Sequence, residues 1–133
     1  MTATPKPIVL AIDTSTGLPA QVAESTKRFV KRFLRHNPSA ILITLGANQA
    51  ARVDTSEDTN VDKALSDIIQ GGVTLEPLME VIKNLQAQSV CVVSDMMMPM
   101  PKNTPKLPFI WVNTNPDNTS KPPFGALTTL AQN

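Results

Sequence analysis

The chain has 133 residues, a net charge of +1, 41% apolar residues and 17% charged residues. That is long enough for one domain with a full core, and too nearly neutral for a general pull toward nucleic acid or membrane surfaces. Four Phe, one Trp and no Tyr leave few platforms for base stacking, and the lone cysteine, Cys91, excludes an internal disulfide.

No apolar run approaches the ~20 residues that span a bilayer. The opening MTATPKPIVLAID has neither the charged region nor the long apolar core of a signal peptide. The expectation is one cytoplasmic domain over residues 1–133, in a cell or made by a virus inside one.

PIVLAID, Pro7 to Asp13, is a continuous apolar run closed by an acid, the pattern of a central strand covered on both faces. TSTGLP follows as a loop, with Pro19 suited to a helix's first turn. From Ala20 to Arg35, Val22, Phe29, Val30, Phe33 and Leu34 share one helical face, and Lys27, Arg28, Lys31, Arg32 and Arg35 take the other. HNP stops this helix. SAILITLG, Ser39 to Gly46, predicts a second buried strand, and AARVDT a short third. Val61, Leu65, Ile68 and Ile69 predict a second helix ended by Gly71 and Gly72, and Leu75, Leu78, Met79, Ile82 and Leu85 predict a third. SVCVVSD reads as another buried strand, in which Cys91 serves as a small hydrophobe rather than a nucleophile. Four prolines from Pro99 to Pro108 lead into FIWVNT, whose Trp111 reads as sheet core, and KPPFGALTTL offers a short edge strand.

Strands and helices in alternation, with strands apolar throughout, predict an α/β, three-layer, Rossmann-like fold with a mostly parallel central sheet flanked by helices. Ligands of such sheets gather beyond the carboxyl ends of the strands. That rule brings Asp13-Thr14-Ser15, Gly71-Gly72-Val73-Thr74 and Ser94-Asp95 to one edge. Asp95 could accept a phosphoryl group, hold a metal ion, or serve only its loop. SDMMMPMP resembles the acceptor loop of two-component receiver domains, and SKPPF resembles their Lys-Pro-Phe. Receivers, however, place a helix, a strand and another helix between acceptor and lysine. Here 25 residues separate Asp95 from Lys121, many of them Pro, Asn or Thr. One strand and an elbow fit there; two helices do not.

The order DTSTG, GGVT, SD along nearly the whole chain resembles the metal-ion-dependent adhesion site of von Willebrand factor A (vWA) domains. Those use Asp-x-Ser-x-Ser after the first strand, a mid-chain Thr, and an Asp after the fourth strand. A narrower resemblance is to the vWA-like domain at the C-terminus of certain bacterial metallopeptidase-like proteins. They share the Gly-Gly-x-Thr loop with a following Pro (Pro77), the Pro-rich elbow before PFIWV, and PPFG (Pro122 to Gly125). The resemblance implies Mg²⁺ ligands at Asp13, Ser15, Thr74 and Asp95. Hydroxyls coordinate without adding charge, so the ion stays electrophilic and can take a partner's Glu or Asp. It also implies a non-catalytic interaction module, with MoxR-type AAA+ ATPases among the wider family's partners.

This chain departs from the pattern in three places. Gly17 stands where the signature has its second serine, with Thr16 the nearest substitute hydroxyl. Gly46 stands where the narrower family often carries an acid. His-Glu-x-x-His is absent, and His36 is the sole histidine, so peptidase activity does not carry over.

Each residue also has a structural explanation. Thr74 can cap the third helix. Asp13 and Ser15 can close the TSTGLP turn and Asp95 the MMMP turn, and Gly71-Gly72 can end a helix. Met96, Met97, Met98 and Met100 form either an adaptable docking rim or a core plug. The basic face, five Lys/Arg from Lys27 to Arg35, is either solvated or meets an acidic partner or phosphates; Lys27, Lys31 and Arg35 are its candidate contacts.

The expectation is a protein-interaction module docking through Asp13, Ser15, Thr16, Thr74, Asp95 and the methionine loop, with or without Mg²⁺. The alternatives are a degenerate receiver-like regulatory domain and a viral host-interaction protein that binds without metal. Neutral charge argues against a nucleic-acid binder. A hydrolase would need a Ser–His or Cys–His arrangement, and none is evident.

Overall fold

The computed structural model describes residues 6–13, 20–47, 49–66, 74–96, 105–115, 122 and 124–129. Among these the chain order is β1 (Ile8–Asp13), α1 (Ala20–His36), β2 (Ile41–Gly46), β3 (Gln49–Val53), α2 (Asp58–Ser66), α3 (Glu76–Leu85), β4 (Ser89–Ser94), β5 (Phe109–Asn113) and β6 (Ala126–Thr129). They form one sheet in the order β3-β2-β1-β4-β5-β6. All pairings are parallel except β2 with β3, an antiparallel hairpin at one edge.

The apolar runs predicted as central strands are central. Val9, Leu10, Ala11 and Ile12 of β1 are buried, as are Val90 to Val93 of β4. Alternation sorts them to two faces. Val9, Ala11, Ile43, Leu45, Val90, Val92, Phe109 and Trp111 pack with Leu78 and Ile82 of α3. Leu10, Ile12, Leu42, Cys91, Val93 and Val112 pack with Val30 of α1 and Val61 of α2. Phe29, Phe33 and Leu34 lie partly buried against the second cluster, as the α1 pattern predicts.

The helices are shorter or longer than the sequence suggests by small amounts. α1 continues one residue past Arg35, its end tied by the Asn37 amide, whose Nδ2–H donates to the Phe33 carbonyl at 3.0 Å. The described part of α2 ends at Ser66. Ile68, Ile69 and the Gly71-Gly72 stop lie outside the described residues. α3 starts at Glu76 with Pro in its first turn, and Leu75, not Thr74, is the N-cap residue, without a side-chain cap bond. The capping explanation for Thr74 is therefore corrected. Its cause lies in Pro77, which removes one of the amide donors a cap would satisfy.

β6 is held by aromatic contacts rather than by burial, since all four of its residues are exposed. Trp111 Nε1–H donates to the Phe124 carbonyl at 3.0 Å. The Phe124 ring stands edge-on to Phe109 at 5.1 Å. Gly125 has φ +81°, and a Cβ there would lie 2.7 Å from the Phe109 carbonyl oxygen. Only glycine lets the chain pass that close. The PPFG stretch thus has a structural role in seating the last strand.

Candidate functional site

β1 and β4 are neighbours in register, with Ile12 opposite Val93. Their carboxyl ends therefore bring Asp13 and Ser94 side by side. Ser94 is 2% exposed, and its Oγ–H donates to Asp13 Oδ2 at 3.3 Å. The same Oγ accepts the Met96 backbone N–H at 3.0 Å. One hydroxyl thus ties the end of β1 to the turn that follows β4, and Asp95 sits half-buried between the two anchored positions.

Met96 has φ +66°, a left-handed conformation that costs a non-glycine residue roughly 1–2 kcal/mol. The bond to Ser94 and the burial of the side chain offset it. That side chain is 5% exposed and lies in the α3-side core cluster, which also contains Leu75 and Trp111. Met96 is therefore a core residue, which corrects its place in a docking rim. The left-handed turn folds it back inward. Met97 and Met98 lie outside the described residues, as do Ser15 and Thr16.

Thr74 is half-buried and precedes Leu75, which shares the α3-side core with Met96. Leu75 so anchors the Thr74 segment to the core that receives the loop after β4. Lys27, Lys31 and Arg35 lie on α1, away from this cluster in sequence, with Arg35 exposed and Lys27 and Lys31 partly so. Lys31 Nζ pairs with Asp62 Oδ1 of α2 at 2.8 Å. This hydrogen bond holds the Lys31 pKa above its usual value and the Asp62 pKa below the usual carboxylate range. The pair is solvent-exposed, so it orients the helices more than it stabilises them.

The carboxyl-edge rule reaches Ser94 but assigns it no role, and it passes over β5 altogether. Yet β5 continues the same edge. The Thr114 N–H donates to the Ser94 carbonyl at 2.9 Å, and Asn113 Oδ1, on a residue 3% exposed, accepts the Asn115 N–H at 2.8 Å. The signal in the sequence is the polar NTN directly after the apolar FIWV.

Among the described residues, no group of three or more His, Cys, Asp or Glu gathers as metal ligands. The donors at the ends of β1, β4 and β5 are instead two carboxylates, Asp13 and Asp95, with the hydroxyls of Ser94 and Thr114. Burial pushes the Cys91 thiol up to about 12, which leaves no thiolate nucleophile near neutral pH. His36 closes α1 just before β2 begins, so it lies toward the amino edge of the parallel sheet, at the far end from Asp13.

No curated protein matches the chain. A family model does match, over residues 8–131, from the first residue of β1 to just beyond β6. The match spans the parallel sheet, both helical layers and the carboxyl edge described above, and the chain belongs to the VWA-like domain (DUF2201) family.

Proposed function

We propose that the chain is a non-catalytic protein-interaction module that docks a partner protein through the carboxyl edge of its sheet, using Mg²⁺ to take an acidic side chain. The observation that supports this best is the Ser94 bridge, which fixes the Asp13 carboxylate beside the Asp95 turn. The donors fit a hard cation: they are all oxygens, mostly neutral, and Thr114 adds a buried hydroxyl with no partner. Asp13, Ser15, Thr74 and Asp95 would hold the ion, and bound Mg²⁺ would supply an electrophile for a carboxylate.

The chain's own residues do the positioning. Ser94 orients Asp13, and the Met96 turn sets the exit of Asp95. In this reading Cys91, buried in the sheet, and His36, at the opposite end of the strands, take no part. A cytoplasmic setting, an AAA+ ATPase partner and a closer kinship with metallopeptidase-associated vWA-like domains belong to the same proposal. No described helix is long and apolar enough to cross a membrane.

The test is a ¹H–¹⁵N spectrum of the protein with an Asp/Glu-rich peptide, recorded with Mg²⁺ and again with chelator. Peptide-induced shifts are expected at Asp13, Thr74 and Asp95 only when Mg²⁺ is present. A spectrum unmoved by peptide and Mg²⁺ together contradicts the proposal.

A further inference from the structure

The side chain of Thr114 is the one feature of this edge that the fold itself leaves unexplained. The residue is 4% exposed, and its Oγ1 is the one buried side-chain polar atom among the described residues without a hydrogen-bond partner. Buried hydroxyls are almost always satisfied, because an unmade bond leaves the desolvation cost uncompensated. Threonine here is thus worse for the isolated fold than valine, its near-isostere, would be.

Its backbone places the residue beside the end of β4. Ser94 pairs with Asn113 as the last pair of the β4–β5 ladder, and the Thr114 N–H donates to the Ser94 carbonyl as part of that pair. Asp95 and Thr114 are the residues by which the chain leaves β4 and β5 directly after this pair. Alternation past Val112, which packs on the α1 side, brings Thr114 back to that side. Alternation past Val93, also on that side, does the same for Asp95. By the same alternation Ala11 and Val92 bring Asp13 and Ser94, joined by a hydrogen bond, to the α3 side, so Asp95 and Thr114, whose hydroxyl is left over, occupy the other side of the same edge.

We propose that Thr114 Oγ1 is a ligand for a divalent cation held at this edge beside Asp95. It would supply a neutral oxygen of the kind lost at Gly17. The inference rests on the Mg²⁺ reading above and extends it to β5, a strand outside the adhesion-site signature. A hard cation accepts a threonine hydroxyl without charge compensation, and binding would satisfy the orphaned oxygen.

The test uses the metal-stripped full chain, with Mn²⁺ as the probe and its free-ion electron paramagnetic resonance signal as the readout. Wild type, Thr114→Val and Thr114→Ser are compared, and each apoprotein is also melted. The expected result is that Thr114→Val weakens Mn²⁺ binding about tenfold or more, that Thr114→Ser retains it, and that apo Thr114→Val melts no lower than wild type. Wild-type affinity in Thr114→Val overturns the assignment of Thr114 and leaves the metal site standing. Absence of Mn²⁺ binding in wild type overturns both. An apo Thr114→Val that melts well below wild type shows an internal role for the hydroxyl and also overturns the assignment.

Discussion

Ser94 uses its hydroxyl twice, as donor to the Asp13 carboxylate and as acceptor from the Met96 N–H. Removing it strands a buried amide and takes one hydrogen bond from the Asp13 carboxylate. Ser94→Ala is therefore expected to cost about 1–3 kcal/mol of stability, as measured by urea denaturation. Cation affinity should fall with it, because Asp13 would lose its orientation. A variant as stable as wild type would show that the long 3.3 Å bond to Asp13 and its companion to Met96 are incidental. Ser94 itself is plain in the sequence, but its partnership with Asp13 is not. The two are 81 positions apart, and only lateral strand register brings them together. Met96 is hidden for a related reason. A methionine run in a proline-rich loop reads equally as docking rim and as core, and nothing in the pattern announces the left-handed turn that buries its first member.

At the level of elements, legibility follows how much of each strand is buried. β1, β2 and β4 are covered on both faces, so their sequences are unbroken apolar runs whose ends fall within a residue or two of the observed ones. β3, an edge strand, and β6, fully exposed, carry no such pattern and are legible only as short possibilities. Beyond its ladder with β5, what seats β6 is Gly125 with the Trp111–Phe124 contact. Gly125→Ala forces a Cβ toward the Phe109 carbonyl in a left-handed conformation, and a loss of about 1–3 kcal/mol is expected from the backbone strain. Trp111 is the chain's single tryptophan and donates to the Phe124 carbonyl. Its fluorescence should shift to longer wavelength as β6 loosens and water reaches the indole. Unchanged emission together with unchanged stability would show that the close passage at Gly125 is dispensable.

For the molecule as a whole, topology decides where function can lie. The order β3-β2-β1-β4-β5-β6 places the carboxyl ends of β1, β4 and β5 side by side, so Asp13, Ser94, Asp95 and Thr114 meet at one edge although they come from distant parts of the chain. The α/β class, and with it the meeting of the β1 and β4 carboxyl ends that carry Asp13 and Ser94-Asp95, is legible from strand–helix alternation alone. The contribution of β5 is not, because the isolation of a hydroxyl depends on burial in three dimensions. Everything proposed for this edge depends on its taking a divalent cation. The decisive experiment is isothermal titration of metal-stripped protein with Mg²⁺ and Mn²⁺, alongside a Thr74→Ala, Asp95→Ala double variant. Saturable binding is expected in wild type and none in the double variant. Absence of binding in both, or equal binding in both, would contradict a cation site at this edge.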